Sequence, residues 1–266
     1  MPGLTKSAAG PPEGTRSGLK AVILAAGISV RLKPLTDATP KCLLPIGGET
    51  ILGRTLHNLS EAGVRDVVLV TGYLAAQIEA YAGAKFPHMR FEFVHNPVYA
   101  TTNNIYSLWL AKDRLLGGTM LLLDSDIIFD AKILGLLLDS GRPACLAVKR
   151  GLAFSEEEIK VTVDARHRVR EISKEVPIPK TWGESIGIEK FSPEVVATLF
   201  DSLERKVVVE NQVNAFYESS FQEIIDRGAE IYALDIGSLL AAEIDTPDDI
   251  RDAAENILPG LPRLPF

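Results

Sequence analysis

Two cations, a small-residue turn and a few carboxylates carry most of the reactive potential of this chain. The run Leu24-Ala25-Ala26-Gly27 ends an apolar segment in side chains small enough for backbone N–H groups to reach phosphate oxygens. Gly27 permits a close approach, or a positive φ, that a side chain would resist. Arg31 offers a planar fork of donors and Lys41 a mobile point charge. Against a triphosphate, each close pair of unit charges contributes about 4 kcal/mol at an effective dielectric of about 20. The plain alternative is a surface loop with scattered cations. The loop has neither the Gly-Lys-Ser/Thr ending of a P-loop nor a dinucleotide fingerprint.

Asp124 and Asp126 follow the apolar run 119–123, and alternation puts them on one face at the carboxyl end of a strand. Open α/β sheets place ligands there. One carboxylate can take a metal while the other positions water or backbone. Asp245 and Asp130 each precede a helix and, by position alone, suit helix caps. Lys174 follows a strand and by itself reads as a solvent-facing hairpin charge. Asn103 and Asn104 open a helix, where they can cap it or hydrogen-bond a ligand. Thr71, Tyr73 and Thr102 stand beside these turns and join the candidate nucleotide site. Trp182, Phe216, Tyr217, Glu210 and Glu218 offer the aromatic faces and negative charge that a quaternary ammonium wants. The acidic residues suit a primary amine equally well. His57, His88, His95 and His167 form no zinc spacing.

Positioning these groups requires alternating strands and helices. Strands are expected over 20–25, 66–70, 90–94, 119–123 and 143–148, with helices after 50 and 73, over 103–115 and over 133–138. That alternation predicts a mostly parallel α/β sheet. A hairpin over 159–172, a strand over 184–191, helices near 193 and over 213–227, a strand over 230–234 and a last helix from 247 continue it. Residues 1–18 read as a disordered tail and 19–260 as a single domain, with 150–220 supplying an acceptor-binding lobe.

With 46% hydrophobic and 24% charged residues, the 266-residue chain lies in the ordinary soluble range. Its net charge of -7 gives no general attraction to nucleic acid and opposes an anionic membrane. No apolar stretch is long enough to cross a bilayer. Cys42 and Cys145, far apart, read as reduced thiols of a cytoplasmic protein. A homo-oligomer is left open.

Residues 24–45 resemble the signature of the nucleotidyltransferases that make nucleoside-diphosphate sugars and alcohols: a small-residue turn, Arg31-Leu32, then Pro40-Lys41 and an apolar pair before Pro45. Ile28-Ser29-Val30 departs from the glycine and threonine common there. The resemblance implies a Rossmann-like, GT-A-like sheet with a small acceptor lobe. It also implies contact of Arg31 and Lys41 with phosphates, a substrate-phosphate role for Lys174, and Mg²⁺ held by Asp126 and Asp245. Oxygen ligands beside phosphates suit that ion. The segment 102–111, with 158–161 and 172–175, is more similar to the phosphocholine cytidylyltransferase branch, which implies CTP as donor and phosphocholine or a related amino-alcohol phosphate or phosphonate as acceptor. A sugar-1-phosphate or inositol-phosphate nucleotidyltransferase and a non-catalytic nucleotide-sensing subunit are the alternatives.

Overall fold

The computed structural model describes residues 18–151, 154–262 and 264. Residues 1–17 of the expected tail lie outside the described residues. Along the chain the strands are β1 (Leu19–Ala25), β2 (Pro45–Ile46), β3 (Glu49–Thr50), β4 (Asp66–Thr71), β5 (Arg90–His95), β6 (Thr119–Asp124), β7 (Ile127–Phe129), β8 (Ala144–Lys149), β9 (Lys160–Val163), β10 (Val169–Ser173), β11 (Gly183–Phe191), β12 (Tyr232–Asp235) and β13 (Ala241–Glu243). The α-helices are α1 (Ile51–Glu61), α2 (Ala75–Lys85), α3 (Asn104–Leu110), α4 (Lys112–Leu115), α5 (Lys132–Leu138), α6 (Pro193–Glu204), α7 (Glu218–Asp226) and α8 (Pro247–Asp252).

The main sheet runs β10-β9-β11-β6-β1-β4-β5, with β8 against β11 and β12 against β8. Strands β5, β4, β1 and β6 are parallel, whereas β11 runs antiparallel to its neighbours. Helices cover both faces because both faces of the strands are apolar. Alternation along β1 sends Ala21, Ile23 and Ala25 toward Leu52 and Leu56 of α1 and Ile78 of α2. Val22 and Leu24 turn the other way, toward Ile105 of α3, Leu199 of α6 and Phe221 of α7. Each fully buried large apolar side chain contributes about 1.5–3 kcal/mol. Helix α1 starts where expected, since Thr50 Oγ1 accepts from the Gly53 N–H.

Three features depart from expectation. The helix over 103–115 breaks at Ala111, where ψ is 0° and the N–H returns to Leu108. The helix expected from 213 begins only at Glu218. Its upstream groups serve α3 instead: the Val213 carbonyl accepts from Asn103 N–H, and the Tyr217 N–H donates to Asn104 Oδ1. Strands β7 and β13 were not anticipated. Each has three residues, too few for a readable alternation, and they form their own antiparallel pair.

Candidate active site

Strand ends bring the distant carboxylates together. Between β6 and β7, the main-chain carbonyl of Asp126 accepts from Ile244 N–H at 2.9 Å, and the β7–β13 pairing continues by matching Ile127 with Glu243. Asp245 is not the cap of α8. Thr246 is, in a capping box with Asp249. The Asp245 carboxylate instead accepts from Lys41 Nζ at 2.6 Å and from Arg31 at 2.6 Å, while Lys41 Nζ also donates to Asp126 Oδ2 at 2.7 Å.

Only 8% of the Lys41 side chain is exposed. Burial disfavours its ammonium, but the Asp126 and Asp245 carboxylates outweigh that, so Lys41 is held above the usual lysine range. Burial likewise works against charge on Asp245, and Lys41 with Arg31 overrides it, holding the carboxyl below its ordinary value. Dehydration and repulsion from Asp126 and Asp245 push Glu243 up to about 8. Since Glu243 keeps an exposed edge, repulsion is the better-founded cause.

Asp126, Glu243 and Asp245 each offer a carboxylate oxygen, and these oxygens lie within 4.8 Å of one another. Asp126 Oδ1 is buried with no hydrogen-bond partner among the described residues. A set of hard oxygen donors with one buried oxygen unsatisfied fits a divalent cation. Glu243 was missed in the sequence, although it stands two residues before Asp245, on the same face of an extended segment.

The cleft has a volume of about 710 Å³. Of the expected residues, Leu24, Ala25, Ala26 and Gly27, then Arg31, Lys41, Thr102, Asn103 and Asn104, border it, as do the three aspartates, Lys174 and Glu218. Gly27 does not adopt positive φ; Ser29 does, at 55°. A Cβ on Gly27 would meet no protein atom within 4 Å, so its small size leaves room in the cleft without relieving a tight packing contact. The loop after it is fastened from α2 and the turn before it. Tyr73 N–H donates to the Ala26 carbonyl, Tyr73 Oη to the carbonyls of Thr36 and Asp37, and Gln77 to that of Ala38.

Five expected residues do not line the cleft. Tyr73 braces the loop as just described, and Thr71 is fully buried with its hydroxyl donating to Glu79 at 3.1 Å. The Trp182 ring lies 5.3 Å from that of His167 and beneath the Arg150 guanidinium at 4.7 Å. Glu210 pairs with Arg205. Tyr217 is fully buried and donates its hydroxyl to Asp124 Oδ2 at 3.0 Å. Sequence reading treated Trp182, Glu210 and Tyr217 as available; each found a nearer partner.

Burial, then repulsion from Asp126 and Glu218, pushes Asp124 well above the usual carboxylate range, offset in part by the Tyr217 hydroxyl. Gly187 makes room for that carboxylate: its φ is 70°, and a Cβ there would come 2.6 Å from Asp124 Oδ2. Asn96, also unanticipated, is buried on the cleft wall and donates to Thr102 and Ser107 at 3.1 Å each. Lys174 Nζ lies 3.3 Å from Glu157 and 5.0 Å from the centre of the Phe216 ring.

A small-residue turn, paired cations and a carboxylate triad brought together where β6 and β13 end fit a nucleotidyltransferase type of site. The MobA-like NTP transferase domain matches residues 21–169, and the chain belongs to that family. It is 29% identical over 245 residues to CMP-5'-(3-aminopropyl)phosphonate synthase of Streptomyces rubellomurinus, a match covering 88% of this chain and 38% of that protein. It is 38% identical over 97 residues to choline-phosphate cytidylyltransferase of Streptococcus pneumoniae, covering 36% of this chain and 41% of the relative. The chain thus spans less than half the length of these two relatives. The solved structure of CTP:phosphocholine cytidylyltransferase from Streptococcus pneumoniae shares the fold, with a TM-score of 0.71, 23% identity, and coverage of 89% of this chain and 98% of that one.

Proposed function

We propose that the protein is a cytidylyltransferase that joins the CMP portion of CTP to a small amino-alcohol phosphate or the corresponding phosphonate. The observation that carries this reading is Lys41, a nearly buried ammonium between Asp126 and Asp245 in a cleft also bordered by Gly27 and Arg31. The named activities of the two relatives support CTP as the donor.

An oxygen of the acceptor's phosphorus group attacks the α-phosphorus of CTP; that P–O bond forms as the bond to pyrophosphate breaks. The attacking oxygen is ionised near neutral pH, so catalysis comes from alignment and neutralised charge and not from a strong base. Arg31 and Lys41 bind the triphosphate. The turn at Gly27 offers main-chain donors, Thr102 and Asn103 bind the nucleoside end, and Lys174 holds the acceptor's phosphorus group. Mg²⁺, when bound, supplies further positive charge there, held by Asp126, Glu243 and Asp245. In this reading residues 19–260 act as one unit, 150–220 forming the acceptor lobe. Among the described residues no helix is long and apolar enough to cross a membrane, and we assign the reaction to the cytoplasm.

The test is an array of nucleoside triphosphates against phosphorylated acceptors, read by pyrophosphate release with Mg²⁺ and then with EDTA. CTP with aminoalkyl phosphates or phosphonates is expected to be the fastest pairing, and EDTA to abolish it. Equal or faster release with sugar or inositol phosphates would overturn the acceptor assignment; no release with any pair would overturn the activity.

A further inference from the structure

Glu218 opens α7, is 6% exposed and borders the cleft, yet its Oε2 has no hydrogen-bond partner among the described residues. A buried polar oxygen left unpaired costs about 1–3 kcal/mol, and more when charged. Asp124 and Glu189 lie close enough to repel it, and Glu189 Oε2 is itself buried and unpartnered. Lys174 is the nearby cation, but its Nζ is drawn to Glu157 and over the Phe216 ring. The place of Glu218 in the first turn of α7 favours a carboxylate, but that leaves Oε2 at the cleft wall unpaired, which a cationic ligand would satisfy.

We infer that Glu218 is the seat of a protonated primary amine on the acceptor, as opposed to a quaternary ammonium. This rests on the transfer reaction proposed above and narrows its substrate class. A primary ammonium has three N–H donors and can satisfy the bare Glu218 oxygen. A trimethylammonium has none, would leave that oxygen unpaired, and binds best within several aromatic faces. Among the described residues, the aromatic side chains bordering the cleft are Tyr99 and Phe216. The Phe216 ring already carries the Lys174 ammonium, and Trp182 is occupied by His167 and Arg150 outside the cleft. Among the described residues, hydrogen-bonding capacity is present here and an aromatic cage is not. Burial has already pushed the Glu218 carboxyl up to about 7, in keeping with a group that awaits a counter-charge.

The experiment uses the whole protein with CTP and Mg²⁺ and 2-aminoethyl phosphate carrying zero, one, two or three N-methyl groups. The expected result is a kcat/KM at least tenfold higher for the primary amine than for the trimethyl compound. Glu218→Gln should shrink that ratio toward one, leave the KM for CTP unchanged, and improve the relative use of 2-hydroxyethyl phosphate, which carries no ammonium. A trimethyl acceptor equal to or better than the primary amine in the unaltered protein overturns the inference while leaving cytidylyl transfer intact, as does an unchanged ratio in Glu218→Gln. Calorimetric binding of the same series separates the two failures. If no acceptor releases pyrophosphate, a binding preference for the primary amine that Glu218→Gln removes still supports the amine seat, and equal binding of all four overturns it.

Discussion

Lys41 shares its ammonium between two carboxylates that a divalent ion would also contact. Removing it leaves Asp126, Glu243 and Asp245 crowded with less positive charge among them. Lys41→Met should therefore lower the melting temperature in EDTA, and millimolar Mg²⁺ should raise it more than in the unaltered protein. Turnover at saturating substrates should fall about 10²–10³-fold, the scale for losing one placed donor to a transition-state charge. A variant with the parent's melting curve, metal response and rate would contradict this role. Glu218 governs a pH effect of known sign. Its carboxyl is near 4.5 when exposed in the unfolded chain and about 7 in the fold, so the native state binds more protons in between. That contribution to stability is full below about 4.5 and is lost as pH rises through about 7. Melting temperature measured from pH 4.5 to 8 should fall along that interval, with a shallower fall in Glu218→Gln. Asp124, Glu189 and Glu243 are raised too, so some slope should persist.

Among the elements, β9 begins with a fully buried lysine. Lys160 Nζ donates to the main-chain carbonyls of Ser155 and Glu158 at 3.1 and 3.3 Å. Ser155 N–H and Oγ close the same turn on the Glu158 carboxylate. The turn presents Glu157 and Glu158 to the cleft, and Glu157 pairs with Lys174. Removing that ammonium would leave the Ser155 and Glu158 carbonyls without their donor, at about 1–3 kcal/mol for each one that stays buried. Lys160→Met should then lower the melting temperature and, by loosening the turn that carries Glu157, raise the acceptor KM severalfold, with the KM for CTP little altered. A matching loss of stability, with both constants unmoved, would make the lysine purely structural. The elements also mark the limit of what sequence could reveal. The turn at 24–27, Arg31 and the strand ending at Asp124 were legible because each is local. Strand β13 and Glu243 were not, because their placement depends on a three-residue pairing with a segment more than a hundred positions away.

At the scale of the whole molecule, alternating apolar strands and amphipathic helices were enough to predict the layered sheet. Side-chain destinations were harder, as Trp182 and Tyr217 demonstrate: an aromatic's sequence neighbours do not reveal which charged group will reach it first. The overall negative charge makes the local arrangement matter more: Arg31 and Lys41 are already paired with Asp245 and Asp126, so the polyanionic nucleotide of the proposed reaction would need the divalent ion as well to balance the acidic cleft. The bracing of residues 36–38 by Tyr73 and Gln77 has a consequence for how that nucleotide is met. A main chain already anchored to a neighbouring helix surrenders little freedom when a ligand arrives, so the association keeps most of its favourable free energy. In the proposed reaction, a loop fastened this way would hold Arg31 and Lys41 in place before the nucleotide arrives.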